Sequence, residues 1–336
     1  MKIAKLTLSN FRGIKELNFS FDKQVNVLVG INGAGKSSVL DSAATLLSRL
    51  TAAISSPKST GRLFAVEDIN NNASFTTCSI TVQFEGQEHT WSMSKYRPGT
   101  PHFESSDLFS VKNIAELVQQ RLLNDKTTDV PLAVFYPVNR AVLDIPARIR
   151  EKHSFDQIAA YYGALTGAQN NFRLFFEWFR EREDLENEQI RRQWEGTSTP
   201  RTLTRIASDR ELDAVRTAIP RFLPGFKNLH VQRAPHRMVL EKNGVELIVN
   251  QLSDGEKCTL ALVGDLARRL ALASPCANNP LDVPAIVLID EVDLHMHPGW
   301  QRKVVPALQE TFPNCQFLLS THSPQVVSEV KAQHIW

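Results

Sequence analysis

The sequence predicts an α/β fold: a mainly parallel sheet covered by helices, with a β-rich first part and a helical insertion in the middle. Three observations carry this. Short apolar, β-branched runs, "VNVLVG" at Val25–Gly30, "PAIVLIDE" at Pro284–Glu291 and "CQFLLS" at Cys315–Ser320, each lead into a segment of helical spacing. Strands alternating with helices imply parallel pairing. Before residue 100, by contrast, "KIAKLTL", "FTTCSITVQF" and "HTWSMSKY" alternate or run apolar with turn residues between them, as strands do. From about Ala141 to Phe226 the character changes again to helical spacing.

Taken in order, "VNVLVG" reads as a buried strand followed by a helix from Lys36 to about Leu50, with "SSPKSTGR" (Ser55–Arg62) as a polar loop. "PLAVFYPVNR" (Pro131–Arg140) reads as another buried strand, stopped by Pro137. In the insertion "FDQIAAYYGAL" (Phe155–Leu165), Asn171–Trp194 and Asp209–Ile219 are predicted helical. The longest of these carries Phe172, Phe175, Phe176 and Phe179 on one side and then dissolves into mixed charge, which reads as a solvated face or a contact surface for a partner. Its acids are as dense as its arginines, so a protein partner is expected before a phosphate backbone, with Glu183, Asp184 and Glu186 at the contact. After Phe226 come "NLHVQR" and "RMVLEKNGVELIVN", in which Asn243-Gly244 is a two-residue hairpin signal, and then a helix over Ser253–Ala273. Helices "GWQRKVVPALQETF" and "PQVVSEV" flank the last strand, and "KAQHIW" enters a further one, so the chain is expected to continue beyond residue 336.

The 336 residues, 42% apolar and 22% charged, suit one large or two modest cores. A net charge of +2 argues neither for nor against nucleic acid. The four cysteines, Cys78, Cys258, Cys276 and Cys315, form no CxxC pair, which speaks against a zinc site or disulfide framework and suits a reducing cytoplasm. No apolar run reaches membrane-spanning length, and Met1–Lys5 leads into a strand rather than a signal peptide. The expectation is a cytoplasmic enzyme away from the membrane.

The chemistry starts at Gly30–Ser37, which fits G-x-x-x-x-G-K-[ST] at every fixed position between a strand and a helix. Glycines let such a loop curl so that successive N–H groups point at phosphate oxygens. Asn32, Gly33, Gly35, Lys36, Ser37 and Ser38 are therefore expected to hold ATP, Lys36 at the β- and γ-phosphates and Ser37 on Mg²⁺. Three later stretches refine this. "AIVLIDE" delivers Asp290 to Mg²⁺ and Glu291 to a position where a base orients water. "QLSDGEK" starts a helix with Ser253 and the Gly255 N–H, a further anion-binding end or simply a capping box with Glu256. "LLSTHSP" places His322 at a strand end, within reach of a γ-phosphate. In "DLHMHP", Asp293, His295 and His297 share a face, but three ligands in so short a segment rarely close a metal site, and none is expected.

This order of motifs resembles the ABC-type ATPase heads throughout the chain. The opening "LTLSNFRGIKELNFSF" resembles the SMC and RecF-type heads, where Arg12 would lie near the nucleotide. "FFEWFREREDLENE", "VFYPVNR" and the stretch from Asp290 to Pro324 resemble the PtuA-type ATPases of Septu and retron anti-phage systems, and the last stretch is shared with OLD-type nucleases. "LSDGEK" departs from LSGGQ at Asp254, and no clear Q-loop glutamine appears, Gln83 and Asn139 being the candidates. The resemblance implies ATP and Mg²⁺ as ligands, Glu291, Lys36 and His322 as catalytic groups, and Ser253 and Gly255 acting on a partner head's nucleotide. It further implies a homodimer or higher oligomer, an HNH nuclease partner of PtuB type and, in a retron, a reverse transcriptase with its small DNA or RNA. It implies lobes 1–140 and 227–336 around an insertion 141–226. An ATPase portion of a Toprim nuclease and a RecF-like DNA-repair clamp are the alternatives.

Overall fold

In the computed structural model the described residues are 1–21, 24–101, 105–140, 156–166, 171–196 and 208–336. Strands β1 (Lys2–Phe11) and β2 (Ile14–Ser20) form a hairpin. The P-loop strand β3 (Val25–Val29) and helix α1 (Lys36–Ser55) follow. A second hairpin, β4 (Phe75–Phe84) and β5 (Gln87–Tyr96), completes an antiparallel sheet in the order β2-β1-β4-β5. Along β1 the apolar residues Ile3, Leu6, Leu8 and Phe11 are buried, so one face of this sheet is core. That face meets α1, where the Trp91 indole donates to the Leu46 carbonyl at 3.0 Å.

Helix α2 (Phe109–Asn124) leads to β6 (Leu132–Tyr136), and the insertion contributes α3 (Asn171–Gly196) and α4 (Arg210–Phe222). A meander of β7 (Phe226–Arg233), β8 (His236–Lys242) and β9 (Val245–Ile248) comes next. Asn243 and Gly244 both take positive φ, 50° and 84°, as the tight turn between β8 and β9 demands. Then come α5 (Asp254–Ala273), β10 (Ala285–Ile289), α6 (Pro298–Thr311), β11 (Gln316–Thr321) and α7 (Pro324–Ser328). The central sheet runs β3-β11-β10-β6, every pairing parallel, and β10 and β11 are buried at every position. Gln316 of β11 ties the two large sheets together, accepting from the Ile3 N–H at 2.7 Å and donating to its carbonyl at 2.9 Å. At the chain end Ile335 bridges Val27 in parallel, and the Trp336 ring stands edge-on to Phe19 and Phe21.

The predicted α/β class stands: a β-rich first lobe, a parallel core sheet and helices inserted between. Four details differ. Helix α2 was not anticipated, and α1 continues to Ser55. Among the described residues of "FDQIAAYYGAL" a short 3-10 helix forms, Gln157–Tyr161, in place of the predicted α-helix. Gly163 then reverses the chain at φ 64°, and the Ala164 carbonyl accepts from the Phe135 N–H at 2.7 Å, so this piece borders β6 instead of extending as a helix. The acids of α3 are the fourth. Glu183 and Glu186 are buried and bind Arg216 of α4, and Glu183 also accepts from the Val231 N–H at 2.8 Å. They are internal fasteners, so the expectation that they meet a partner is corrected; only Asp184 keeps an exposed position, beside Arg233. Phe172 of the predicted aromatic face lies outside the described side chains, as do 141–155, 167–170 and 197–207 of the insertion.

Candidate functional site at the P-loop and the end of β10

β3 and α1 hold the P-loop between them. Gly33 and Gly35 adopt φ 80° and 96°, a region closed to most side chains, and Gly35 is the residue on which α1 starts. The Lys36 ammonium folds back over the loop to the Gly30 and Ile31 carbonyls, at 2.7 and 3.0 Å. Asn32, Gly33, Ala34, Gly35, Lys36, Ser37, Ser38 and Glu291 line one cavity of about 230 Å³. Six of the predicted nucleotide ligands and the predicted base thus share a single concavity. A glycine-bearing loop, a helix N-terminus and an ammonium together suit a polyphosphate.

Asp290 and Glu291 leave the end of β10. The Asp290 N–H continues the sheet by donating to the Tyr136 carbonyl at 2.9 Å, and its buried carboxylate accepts from the Ser320 hydroxyl. Ser320 also accepts from the Glu291 N–H at 2.8 Å, so one hydroxyl of β11 orders both acids. Glu291 itself stands at φ 46°, in the left-handed region. Arg140, just beyond β6 and nearly fully buried, donates to the carbonyls of Pro137, Asp290 and Glu291. Ser320 and Arg140 were not singled out in the sequence. "VNR" and "LLST" held them in view, but nothing local marks residues whose partners lie 150 positions away from Arg140 and 30 from Ser320.

Elsewhere the placements are mixed. Asn139 follows β6 at the edge of the acid pair and is exposed, whereas Gln83 belongs to β4 in the antiparallel sheet. His322 follows β11 directly and is exposed, outside the residues lining the P-loop cavity. Arg12 binds Asp41 of α1 at 2.5 Å and Asp68 at 2.9 Å, and Asp41 also holds Arg62. Arg12 therefore flanks the helix that starts at the P-loop without lining the cavity.

Ser253 caps α5 in a reciprocal capping box with Glu256, whose other oxygen takes the Lys242 ammonium at 2.6 Å. Ser253 and Gly255 line a second cavity of about 290 Å³ with His295, Met296, His297 and Trp300 among others. Gly255 is there for close approach: a Cβ would stand 2.2 Å from the His295 carbonyl oxygen. Asp293 accepts from the Thr321 hydroxyl and His297 caps α6 through Nδ1, so these two residues of "DLHMHP" have separate structural duties, while His295 lines the second cavity.

A parallel sheet in which β11 separates the P-loop strand from the acid-bearing strand, flanked by an antiparallel lobe, defines an ABC-type ATPase head of the SMC kind. The chain belongs to the RecF/RecN/SMC N-terminal domain family, whose family model matches residues 2–335. It is 32% identical over 387 residues to the "Retron Ec83 probable ATPase" of Escherichia coli, covering 100% of this chain and 71% of that one. To the "Retron Vc95 probable ATPase" of Vibrio cholerae serotype O1 biovar El Tor it is 31% identical, covering 100% and 73%. A shorter match, 38% over 76 residues and 23% of this chain, joins it to the "Septu protein PtuA" of Bacillus mycoides (strain KBAB4), 10% of whose length is covered. Among solved structures an SMC head bound to the C-winged helix domain of ScpA superposes with a TM-score of 0.53 at 16% identity, covering 98% of this chain and 92% of that one, a likeness of fold.

Proposed function

We propose that this chain binds and hydrolyses ATP, that two copies close around the nucleotide, and that this closure gates an HNH-type nuclease partner in an anti-phage assembly. In a retron the assembly would add a reverse transcriptase with its small DNA or RNA. The observation that carries the reading is the division of the site. Among the described residues the P-loop cavity and the cavity of Ser253 and Gly255 share no lining residue, which supports a reading in which each copy offers two half-sites for a second copy to complete. The retron and Septu names of the relatives support the defence context. On this reading 1–140 and 227–336 are the two lobes of the head and 141–226 the insertion.

In the hydrolysis step, water adds to the γ-phosphorus while the bond from that phosphorus to the bridging oxygen of ADP breaks. Glu291, lining the cavity, orients the water and accepts its proton; Lys36 meets the charge that develops on the phosphate oxygens. Ser37, which lines the cavity, and Asp290, whose carboxylate is buried against Ser320 at the end of β10, would hold Mg²⁺ through oxygen, and the ion would neutralise phosphate charge there. His322 follows the strand that holds Asp290 and Glu291 in place and serves as the γ-phosphate contact, with Arg12 at the flank of α1.

Mixing tests the shared site. Ser253→Arg and Lys36→Ala proteins should each be inactive alone. Together they should recover ATP hydrolysis, because a mixed dimer retains one intact P-loop opposite one intact Ser253. Two inactive proteins whose mixture stays inactive, although they associate, would defeat the reading.

A further inference from the structure

Glu291 is held in a left-handed backbone conformation that non-glycine residues enter only at a cost, and such a state persists only where its surroundings over-determine it. The surroundings are explicit. From one side Ser320 binds the Glu291 N–H. From the other, the planar guanidinium of Arg140 takes the Asp290 carbonyl on Nη1 and the Glu291 carbonyl on Nη2, the latter at 2.5 Å, while Nη1 also reaches the Pro137 carbonyl at 3.1 Å. The residues that leave β10 and β6 are thereby clasped by one side chain that is only 6% exposed. An ammonium offers no fixed fork, so lysine would not reproduce the grip.

We propose that Arg140 is a positioning residue: it fixes the Asp290–Glu291 backbone so that the Glu291 carboxylate stays on the P-loop cavity. This deepens the ATPase reading and rests on it for the consequence in turnover. Arg140 does not line the cavity and spends its donors on protein carbonyls, so it acts through Glu291 and not on the nucleotide. Its own carbonyl faces the Cys258 thiol of α5 at 3.8 Å, which stations it between the acid pair and the helix begun by Ser253.

The test compares Arg140→Ala, Arg140→Lys, Glu291→Gln and the Arg140→Ala/Glu291→Gln double variant with the parent protein. Amide hydrogen exchange reads the backbone without any turnover. The Val292 and Leu294 amides, which donate to Ser320 and to the Glu291 carbonyl, should exchange at least about tenfold faster in both Arg140 variants. Turnover should fall about 10²-fold in both, while ATP binding stays within about twofold, since misplacing a group by an ångström costs on that scale. The double variant should be no slower than Glu291→Gln alone, because both substitutions remove the same act. Where Arg140→Ala does not fold, Arg140→Lys, which keeps the stem and the charge, decides alone. Unchanged exchange, parental turnover in Arg140→Lys, losses that multiply in the double variant, or ATP affinity falling in step with turnover would each overturn the assignment. A parent protein that hydrolyses no ATP would sink the function reading, and the exchange data would still decide what Arg140 holds.

Discussion

Gly264 lies in the interior of α5 directly under the ring of Phe175 on α3. A Cβ there would stand 2.3, 2.7 and 2.9 Å from three ring carbons. Phe175 is fully buried and packed among Phe176, Trp178 and Phe179 at centroid distances of 5.0, 6.4 and 6.1 Å, so the ring has nowhere to swing. On propensity alone Gly264→Ala should gain about 1 kcal/mol. Overpacking a rigid core costs about 1–3 kcal/mol, and with ring atoms this close the upper half of that range applies. The net expectation is a loss of about 1–2 kcal/mol, or about 1–3 °C in thermal midpoint for a chain of 336 residues. Combining it with Phe175→Leu removes the obstructing ring carbons, so the pair should lose about 1–2 kcal/mol less than the sum of the single changes. Thermal and urea unfolding followed by circular dichroism measure all four corners of the cycle. Stabilisation by Gly264→Ala, or simple additivity with Phe175→Leu, would show that α3 does not sit on α5 through this contact.

Glu291→Gln keeps the shape of the side chain and removes the base, so ATP should remain bound, association should persist, and turnover should fall about 10²-fold or more, as read by phosphate release and light scattering. Burial pushes the Glu211 carboxyl up to about 7, against the attraction of Arg182. The folded state thus holds a proton that the unfolded chain has released above the ordinary value of 4.5; stability should decline as pH rises towards 7, by roughly 3 kcal/mol at most, and Glu211→Gln should flatten that decline in unfolding curves between pH 5 and 8. Reversing Glu183 and Glu186 to lysine sets like charges against Arg216 in a buried site and should cost about 3–5 kcal/mol, visible as lost cooperative unfolding. A normally stable double variant with altered oligomeric mass would contradict that internal role.

The parts legible in the sequence are those whose cause is local. The P-loop needs glycines at fixed spacing, and φ values of 80° and 96° at Gly33 and Gly35 are what that spacing encodes. The runs at Ala285–Ile289 and Phe317–Leu319 are apolar because both faces of a central parallel strand are covered. Asn243-Gly244 named its own turn. What stayed hidden depends on where distant segments meet. Glu183 and Glu186 look like a solvated stripe until α4 and β7 bring Arg216 and the Val231 N–H to them. "FDQIAAYYGAL" has helical spacing, yet the free edge beside Phe135 claims its Ala164 carbonyl. Arg140 is an unremarkable arginine after a strand until β6 and β10 pair.

The approach of the His295 carbonyl to Gly255 bears on how this head is best dissected by genetics. Any side chain introduced at Gly255 displaces the 293–297 segment of its own copy before it meets anything on another, so a phenotype there mixes two causes. Ser253 leans on its own helix through hydroxyl hydrogen bonds with Glu256 that arginine or alanine forfeits at about 1 kcal/mol, a loss a folded domain absorbs. On the proposed two-copy reading, alleles at Ser253 would therefore report on the encounter between copies, whereas alleles at Gly255 would be dominated by the displaced 293–297 segment of their own copy.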